Sequence, residues 1–314
     1  MRRLSHTAAE TGGRRTGGRA SVPRETVGAA IDRVARKLKS ARVHFGHGTD
    51  NARDEAAEIV FFAAGLEHAL GVSVYAKILT AARRARIDAL LDRRIALRAP
   101  LAYLTHRSFF AGLELYVDAR VLVPRSPIAE LVLQRFSPWI NPRRVRHILD
   151  VGTGSGAIAL ACAVAFPKAR VDAVDVSVAA LQVARRNQRR LGLQKRVRIL
   201  RSDYFAAVGG CRYDIIVSNP PYVGRAEMRA LPREYRHEPR RALASGADGL
   251  DAVRAIFAAA RRHLTRDGIL VVEVGNTERT LLRAFPKMPF IWPDIGMGGG
   301  GVFLLRAEDL DSGT

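Results

Sequence analysis

The run His147-Ile148-Leu149-Asp150-Val151, then Gly152-Thr153-Gly154-Ser155-Gly156, then the alanine-rich stretch Ala157 to Phe166, restricts this chain's fold most. The first segment is apolar and strand-like, the second alternates glycine, and the third is helical in pattern. Glycine lets a backbone turn sharply and lets a ligand approach its N–H groups, so the unit reads as a nucleotide-binding turn. From about Ile128 onward, apolar strands and helical segments alternate in the βαβ manner, which predicts an open, mostly parallel sheet. The last strands are expected at Gly268 to Val274 and Gly301 to Leu305. The glycine spacing departs from the dinucleotide fingerprint, whose third glycine falls one residue later, and there is no P-loop lysine after it.

Acidic residues end the strands around this loop. Asp150 closes the first. Asp175 closes Arg170-Val171-Asp172-Ala173-Val174-Asp175, about 20 positions on, where a ribose hydroxyl pair would be bound. Asp203, in Ser202-Asp203-Tyr204-Phe205, comes after the strand Val197 to Leu200. Three acidic strand ends, with no lysine or arginine in the loop, disfavour a pyrophosphate. They favour a ligand with adenosine at one end and positive charge elsewhere, and S-adenosylmethionine fits that description.

Downstream, the apolar strand Tyr213 to Ser218 runs into Asn219-Pro220-Pro221-Tyr222. Proline fixes its own φ and restricts the residue before it, so Asn219 and Pro220 are confined to extended backbone. The Asn219 side-chain oxygen and a neighbouring backbone carbonyl can then accept both N–H bonds of an incoming NH2 group. Tyr222 offers a flat face for a planar group.

Together these residues resemble the class I S-adenosylmethionine-dependent methyltransferases, in the subgroup carrying an Asn-Pro-Pro-Tyr catalytic motif. The resemblance spans roughly Arg33 to Leu310. It implies a Rossmann-like α/β sheet, with S-adenosylmethionine as cofactor. It implies catalytic roles for Asn219, Pro220, Pro221 and Tyr222. Cofactor contacts are implied for Asp150, Gly152, Thr153, Gly154, Ser155 and Gly156, and for Asp175, Asp203, Tyr204 and Asn219.

The same tetrapeptide serves enzymes acting on adenine or cytosine in DNA and enzymes acting on protein glutamines. A DNA enzyme usually carries a module that reads the duplex, whereas this chain has a short helical region before its catalytic part. That arrangement resembles the protein-glutamine methyltransferases. Within them, Val43-His44-Phe45-Gly46-His47-Gly48-Thr49-Asp50-Asn51 and Leu122-Val123-Pro124-Arg125-Ser126-Pro127-Ile128 resemble the group acting on large-subunit ribosomal protein L-three. The release-factor group and, further off, a DNA or RNA amino-methyltransferase are the alternatives. Where the family has Pro-Trp, this chain has Ala52-Arg53. Arg125, Asp50 and Asn51 are candidate substrate contacts. Asp50, Asp54 and Glu55 also suit helix capping and a helix first turn, which ranks ahead of catalysis. Glu238, within Tyr235 to Arg240, is the candidate for stabilising a loop that folds over the site. Gly298 to Gly301 resembles the tight turn before the family's last strand.

The rest of the chain sets the frame. Residues 1-23 are rich in Gly, Arg, Ser and Thr without apolar periodicity and read as a disordered leader, with an organellar transit peptide ranked second. Residues 24-107 read as a helical, substrate-recognising domain of four or five helices. Val27, Ile31, Val34 and Leu38 fall at helical spacing there, as do Ile59, Ala63, Leu66 and Leu70. Residues 108-127 read as a β-hairpin linker, and 128-314 as the catalytic domain. The two cysteines, Cys162 and Cys211, lack metal spacing and read as reduced, in keeping with a cytoplasmic protein. His44 and His47 have no third ligand near them in sequence, so no metal is expected. No apolar run approaches the roughly 20 residues that span a bilayer.

The formal charge is +21, from 51 basic and 30 acidic residues. Such a charge attracts polyanions. Pairs such as Arg83-Arg84, Arg143-Arg144, Arg185-Arg186 and Arg261-Arg262 are scattered along the chain. They predict no basic stripe, only incidental contact with ribosomal RNA near a protein substrate.

Overall fold

The computed structural model describes residues 24–67, 71–296 and 300–311. The leader expected over 1-23, the periodic position Leu70, and Gly298 and Gly299 of the expected turn lie outside these residues.

Four helices come first: α1 (Val27–Ser40), α2 (Ala52–Ala64), α3 (Ala81–Leu97) and the short α4 (Leu101–Thr105). Val27, Ile31, Val34 and Leu38 form the buried face of α1, against Ile59 and Val60 of α2 and Ile87 and Leu91 of α3. Each of the three long helices begins on a side-chain cap: Thr26, Asn51 and Thr80 accept from N–H groups of the first turn. Helix α2 stops at Gly65 in the left-handed conformation. That break leaves Leu66 outside the helix.

The hairpin is shorter than the alternation suggested. Strands β1 (Ser108–Phe110) and β2 (Leu113–Leu115) pair antiparallel across Ala111-Gly112, both with positive φ, the two-residue turn that suits strand twist. Residues 121–125 join no strand. The Val123 N–H instead donates to the Glu238 carboxylate at 3.0 Å.

After α5 (Ile128–Leu133) comes the main sheet: β3 (His147–Val151), β4 (Arg170–Asp175), β5 (Val197–Arg201), β6 (Tyr213–Ser218), β7 (Leu264–Glu273) and β8 (Val302–Arg306). The strands lie in the order β5-β4-β3-β6-β7-β8, all parallel except β8. Helices α6 (Ala157–Ala165) and α7 (Val178–Arg190) carry the crossovers from β3 and β4. The short α8 (Arg225–Ala230), then α9 (Asp251–His263), stand between β6 and β7, and α10 (Glu278–Ala284) precedes β8. Alternate residues of each strand face opposite cores. Ile148, Val171 and Ile215 pack with α5 and α6, and Leu149, Val174 and Ile216 share a core with α9. Both faces are thus covered, the condition under which a parallel sheet is stable. The chain's direction of travel across the sheet reverses between β3 and β6, so a crevice opens beyond their carboxyl ends. No helix among the described residues is long and apolar enough to cross a membrane.

Candidate active site

The crevice is a cavity walled by the glycine loop on one side and the end of β6 on the other. Gly152, Thr153, Gly154 and Ser155 line it, as do Asp175, Asp203 and Tyr204, and then Asn219, Pro220 and Pro221. Ten of the residues singled out from sequence are therefore brought together. Arg125 also reaches the wall.

Backbone geometry explains the loop. Gly152 and Gly154 have φ of +74° and +55°, and a Cβ built on either meets no atom within 4 Å. Their missing side chains leave an open cradle, which suits a bound nucleoside. Asp175 braces this cradle. One carboxylate oxygen accepts from the Gly154 N–H at 2.9 Å and the other from the Ser177 N–H at 2.8 Å, just before α7. Burial pushes the Asp175 carboxyl up, opposed by those N–H groups. Tyr204 takes a positive φ of 44°, and the Ser202 hydroxyl fixes this turn by donating to the Tyr204 carbonyl at 2.8 Å.

Three of the residues expected for catalysis or cofactor binding stand apart from the wall. Asp150 is wholly buried beneath the loop, where one oxygen accepts from Thr153 Oγ1 at 2.6 Å and from the Ala159 N–H at 3.0 Å. Burial pushes its carboxyl up to about 7, and its other oxygen has no partner among the described residues. Gly156 (φ +84°) sits at the start of α6, where a Cβ would meet Leu160 at 3.2 Å and Ala184 at 3.3 Å, so close packing demands the glycine. Tyr222 turns its hydroxyl to Glu273 Oε1 at 3.0 Å, with its ring against Gly275.

Asn219 is half-buried at the end of β6, and Pro220 behind it is buried. Ser218 ties this strand end to the loop by donating its hydroxyl to the Val151 carbonyl at 2.7 Å. Among the described residues, the Asn219 carboxamide has no hydrogen-bond partner, although its backbone is fixed on both sides. A polar group at a cavity wall that the protein leaves unpaired is available to a ligand.

The segment over the site is clamped from the helical region. Glu238 accepts both Arg125 nitrogens at 2.6 and 2.7 Å as well as the Val123 N–H. Burial alone would raise the Glu238 carboxyl, but the neighbouring His47 and the positive Arg125 fork outweigh it and hold the group at about 2. His47 Nε2 stands 3.5 Å from Glu238, a neighbour too distant for a strong hydrogen bond, and burial lowers its pKa. Further along, the His44 N–H donates to Glu234 at 2.9 Å. Asn51 caps α2 by accepting from the Arg53 and Asp54 N–H groups, and Asp50 is exposed beside it; neither reaches the cavity. Arg53 pairs with Asp32 on the surface at 2.8 Å.

Sequence reasoning missed three charged residues, one of them Arg120, which lines the cavity and pairs with Asp118. Arg241 lines the cavity and acts on Asp175 as a nearby positive charge. Glu273, buried at the end of β7, accepts from Tyr222 and from the Ser126 hydroxyl. Its signal was available: a lone carboxylate closing an apolar strand, like Asp150 and Asp175.

Comparison with known proteins agrees with this geometry. Residues 129–248 match the Methyltransferase small domain. The ribosomal protein uL3 glutamine methyltransferase of Bordetella pertussis is 46% identical over 278 residues, covering 88% of this chain and 93% of that one. Its counterparts in Francisella tularensis and Xanthomonas campestris are 41% and 44% identical. They cover 87% of this chain and 88% and 89% of theirs. At this identity over nearly the full length, the chain belongs to the ribosomal protein uL3 glutamine methyltransferase family.

Proposed function

We propose that this protein methylates the side-chain amide nitrogen of a glutamine in ribosomal protein uL3, with S-adenosylmethionine as donor. The observation that carries the reading is the unpaired, backbone-locked Asn219 carboxamide lining the same cavity as the open Gly152–Ser155 cradle.

The donor set suits this cofactor. Asp175 presents a carboxylate at the ribose position, and Asp203 and Tyr204 flank the adenosine end. The glycine loop itself contains no cation; those of the cavity, Arg120, Arg125 and Arg241, stand elsewhere on its lining. Bound there, the cofactor supplies an electrophilic methyl carbon; the remaining work is positioning by the protein.

An amide nitrogen is a weak nucleophile, because its lone pair is delocalised into the carbonyl. Asn219 Oδ1 and the Pro220 carbonyl accept the two glutamine N–H bonds and aim the lone pair along one line. Placement of this kind supplies about 7–11 kcal/mol towards a barrier. No strong base is needed before attack, since the nitrogen becomes acidic only as its new bond forms. Asn219 does not titrate; its oxygen accepts the N–H hydrogen bond, and the proton released as the new bond forms passes to water. Tyr222, braced by Glu273, supports the acceptor side. The helical region 24-107 would recognise uL3, in the cytoplasm, with 108-127 joining it to the catalytic part, 128-314. Contact with ribosomal RNA through basic surface belongs to the same reading.

The test offers radiolabelled cofactor and enzyme with uL3, release factor, RNA and DNA in separate reactions. Label on a uL3 glutamine is expected. Label confined to release factor or to nucleic acid overturns the assignment.

A further inference from the structure

The cofactor cavity lies at the carboxyl ends of the strands. At the opposite end of the sheet, the starts of β3, β4, β5 and β6 open into a separate groove of about 840 Å³. Arg170 enters it from the start of β4, Lys195 and Arg196 from the turn before β5, and Arg198 from β5 itself. Helix α7 supplies the opposite wall with Arg185 and Arg189, and Arg212 stands just before β6. Cations that are scattered in sequence, and that predicted no basic stripe, are gathered by the parallel register into one trough.

Among the described residues lining it, one carboxylate faces these seven cations. That carboxylate, Asp172, is already held by Arg198 at 2.7 and 2.8 Å and by the Tyr213 hydroxyl at 2.7 Å. Arg170, Arg189 and Lys195 are exposed, and their side chains have no partner among the described residues. Like charges gathered in one trough repel, with screening over about 8 Å at physiological salt. A polyanion relieves that repulsion.

We propose that this groove binds the sugar-phosphate backbone of an RNA strand. A concave trough with cations on both walls fits a linear row of phosphates better than the plane of a lipid surface. Tyr213 is buried and His147 is the one exposed ring among the described residues of the groove, so it offers little platform for stacking successive bases. Binding is therefore indifferent to sequence and steeply dependent on salt. That the strand is RNA rests on the uL3 reading, since a ribosomal protein meets its enzyme in the company of RNA. The groove's preference for a polyanion rests on its own charges.

The experiment uses the full chain and a fluorescein-labelled single-stranded RNA of mixed sequence, with affinity measured by anisotropy over a range of KCl concentrations. The double variant Arg170→Glu/Lys195→Glu is compared with Arg279→Glu/Arg283→Glu, an equal charge change on α10. The groove variant should lose about 10-fold or more in affinity, and its log–log salt slope should flatten by roughly 0.7 for each phosphate contact removed. The α10 variant should stay near wild type. Methylation of free uL3, followed for both variants, should be unchanged and reports that each is folded. Equal loss in the two variants would reduce the effect to net charge and overturn the proposal. So would an undiminished groove variant, or a protein that binds anionic phospholipid vesicles and ignores RNA. Failure of uL3 methylation in the wild type would sink the functional reading while leaving the RNA titration interpretable.

Discussion

The Tyr222 hydroxyl donates to Glu273 Oε1 at 3.0 Å, so the last residue of Asn-Pro-Pro-Tyr is held by the end of the neighbouring strand β7. The other Glu273 oxygen takes the Ser126 hydroxyl, which joins the linker to the same carboxylate. Burial raises the Glu273 pKa, while the two hydroxyl donors favour its charged form. Tyr222→Phe leaves a buried carboxylate oxygen short of a donor and frees the ring. A lost hydrogen bond to a charged group is worth about 1.5–3 kcal/mol, so kcat should fall about 10- to 100-fold. Cofactor affinity by calorimetry should hold. A matching loss of cofactor affinity would place Tyr222 in cofactor binding instead.

Glu238→Ala should destabilise the fold strongly. It strands the partly buried Arg125 guanidinium and removes the acceptor of the Val123 N–H. Breaking a buried pair from one side costs about 3–5 kcal/mol. Urea denaturation should show that loss, and Glu238→Gln, which keeps an acceptor, should lose less. An unchanged midpoint for the alanine variant would mean that the clamp is dispensable.

Two glycines of one loop should fail in different ways. Gly154→Ala meets empty space, so its stability cost is backbone strain of about 1–2 kcal/mol, while its methyl occupies the cradle and weakens cofactor binding. Gly156→Ala drives its methyl into Leu160 and Ala184, adding about 1–3 kcal/mol of overpacking to similar strain. Thermal melts paired with calorimetric cofactor titrations separate the outcomes. Gly156→Ala melting no lower than Gly154→Ala would contradict the packing argument.

Asp150 gives stability a pH dependence. Its carboxyl titrates at about 7 in the fold against 3.8 in its ordinary state. The stability from retaining that proton is complete below 3.8 and is lost as pH rises through about 7. Asp150→Asn cannot lose it. The stability of that variant relative to wild type should therefore climb between about pH 4 and 7, by at most roughly 1.4 kcal/mol per pH unit, and then level off. Parallel urea titrations across that range measure the difference. A flat difference would mean that Asp150 titrates normally in the fold.

The sheet was legible because its signals are local. An apolar run such as Tyr213 to Ser218 can hardly be anything but a buried strand, and a loop of alternating glycines fixes the turn out of β3. The side on which a strand-end carboxylate emerges was less legible. Asp150 and Asp175 look alike in sequence, yet one is folded under the loop and the other braces it at the cavity. Glu273 and Arg241 reach the site through pairing of strands and loops distant in sequence. The clamp on Glu238 joins it to Arg125, 113 positions earlier. The basic trough is the extreme case: it exists only because parallel register aligns the starts of strands that are far apart along the chain.

In the proposed mechanism Asn219 orients the acceptor nitrogen and contributes little to holding the cofactor. The decisive measurement is methyl transfer to uL3 by Asn219→Ala, paired with calorimetric titration of S-adenosylmethionine on the same preparation. Turnover should drop about 1000-fold or more, as expected when positioning worth several kcal/mol is lost, with cofactor affinity close to wild type. Undiminished turnover, or a loss explained wholly by weaker cofactor binding, would contradict that role.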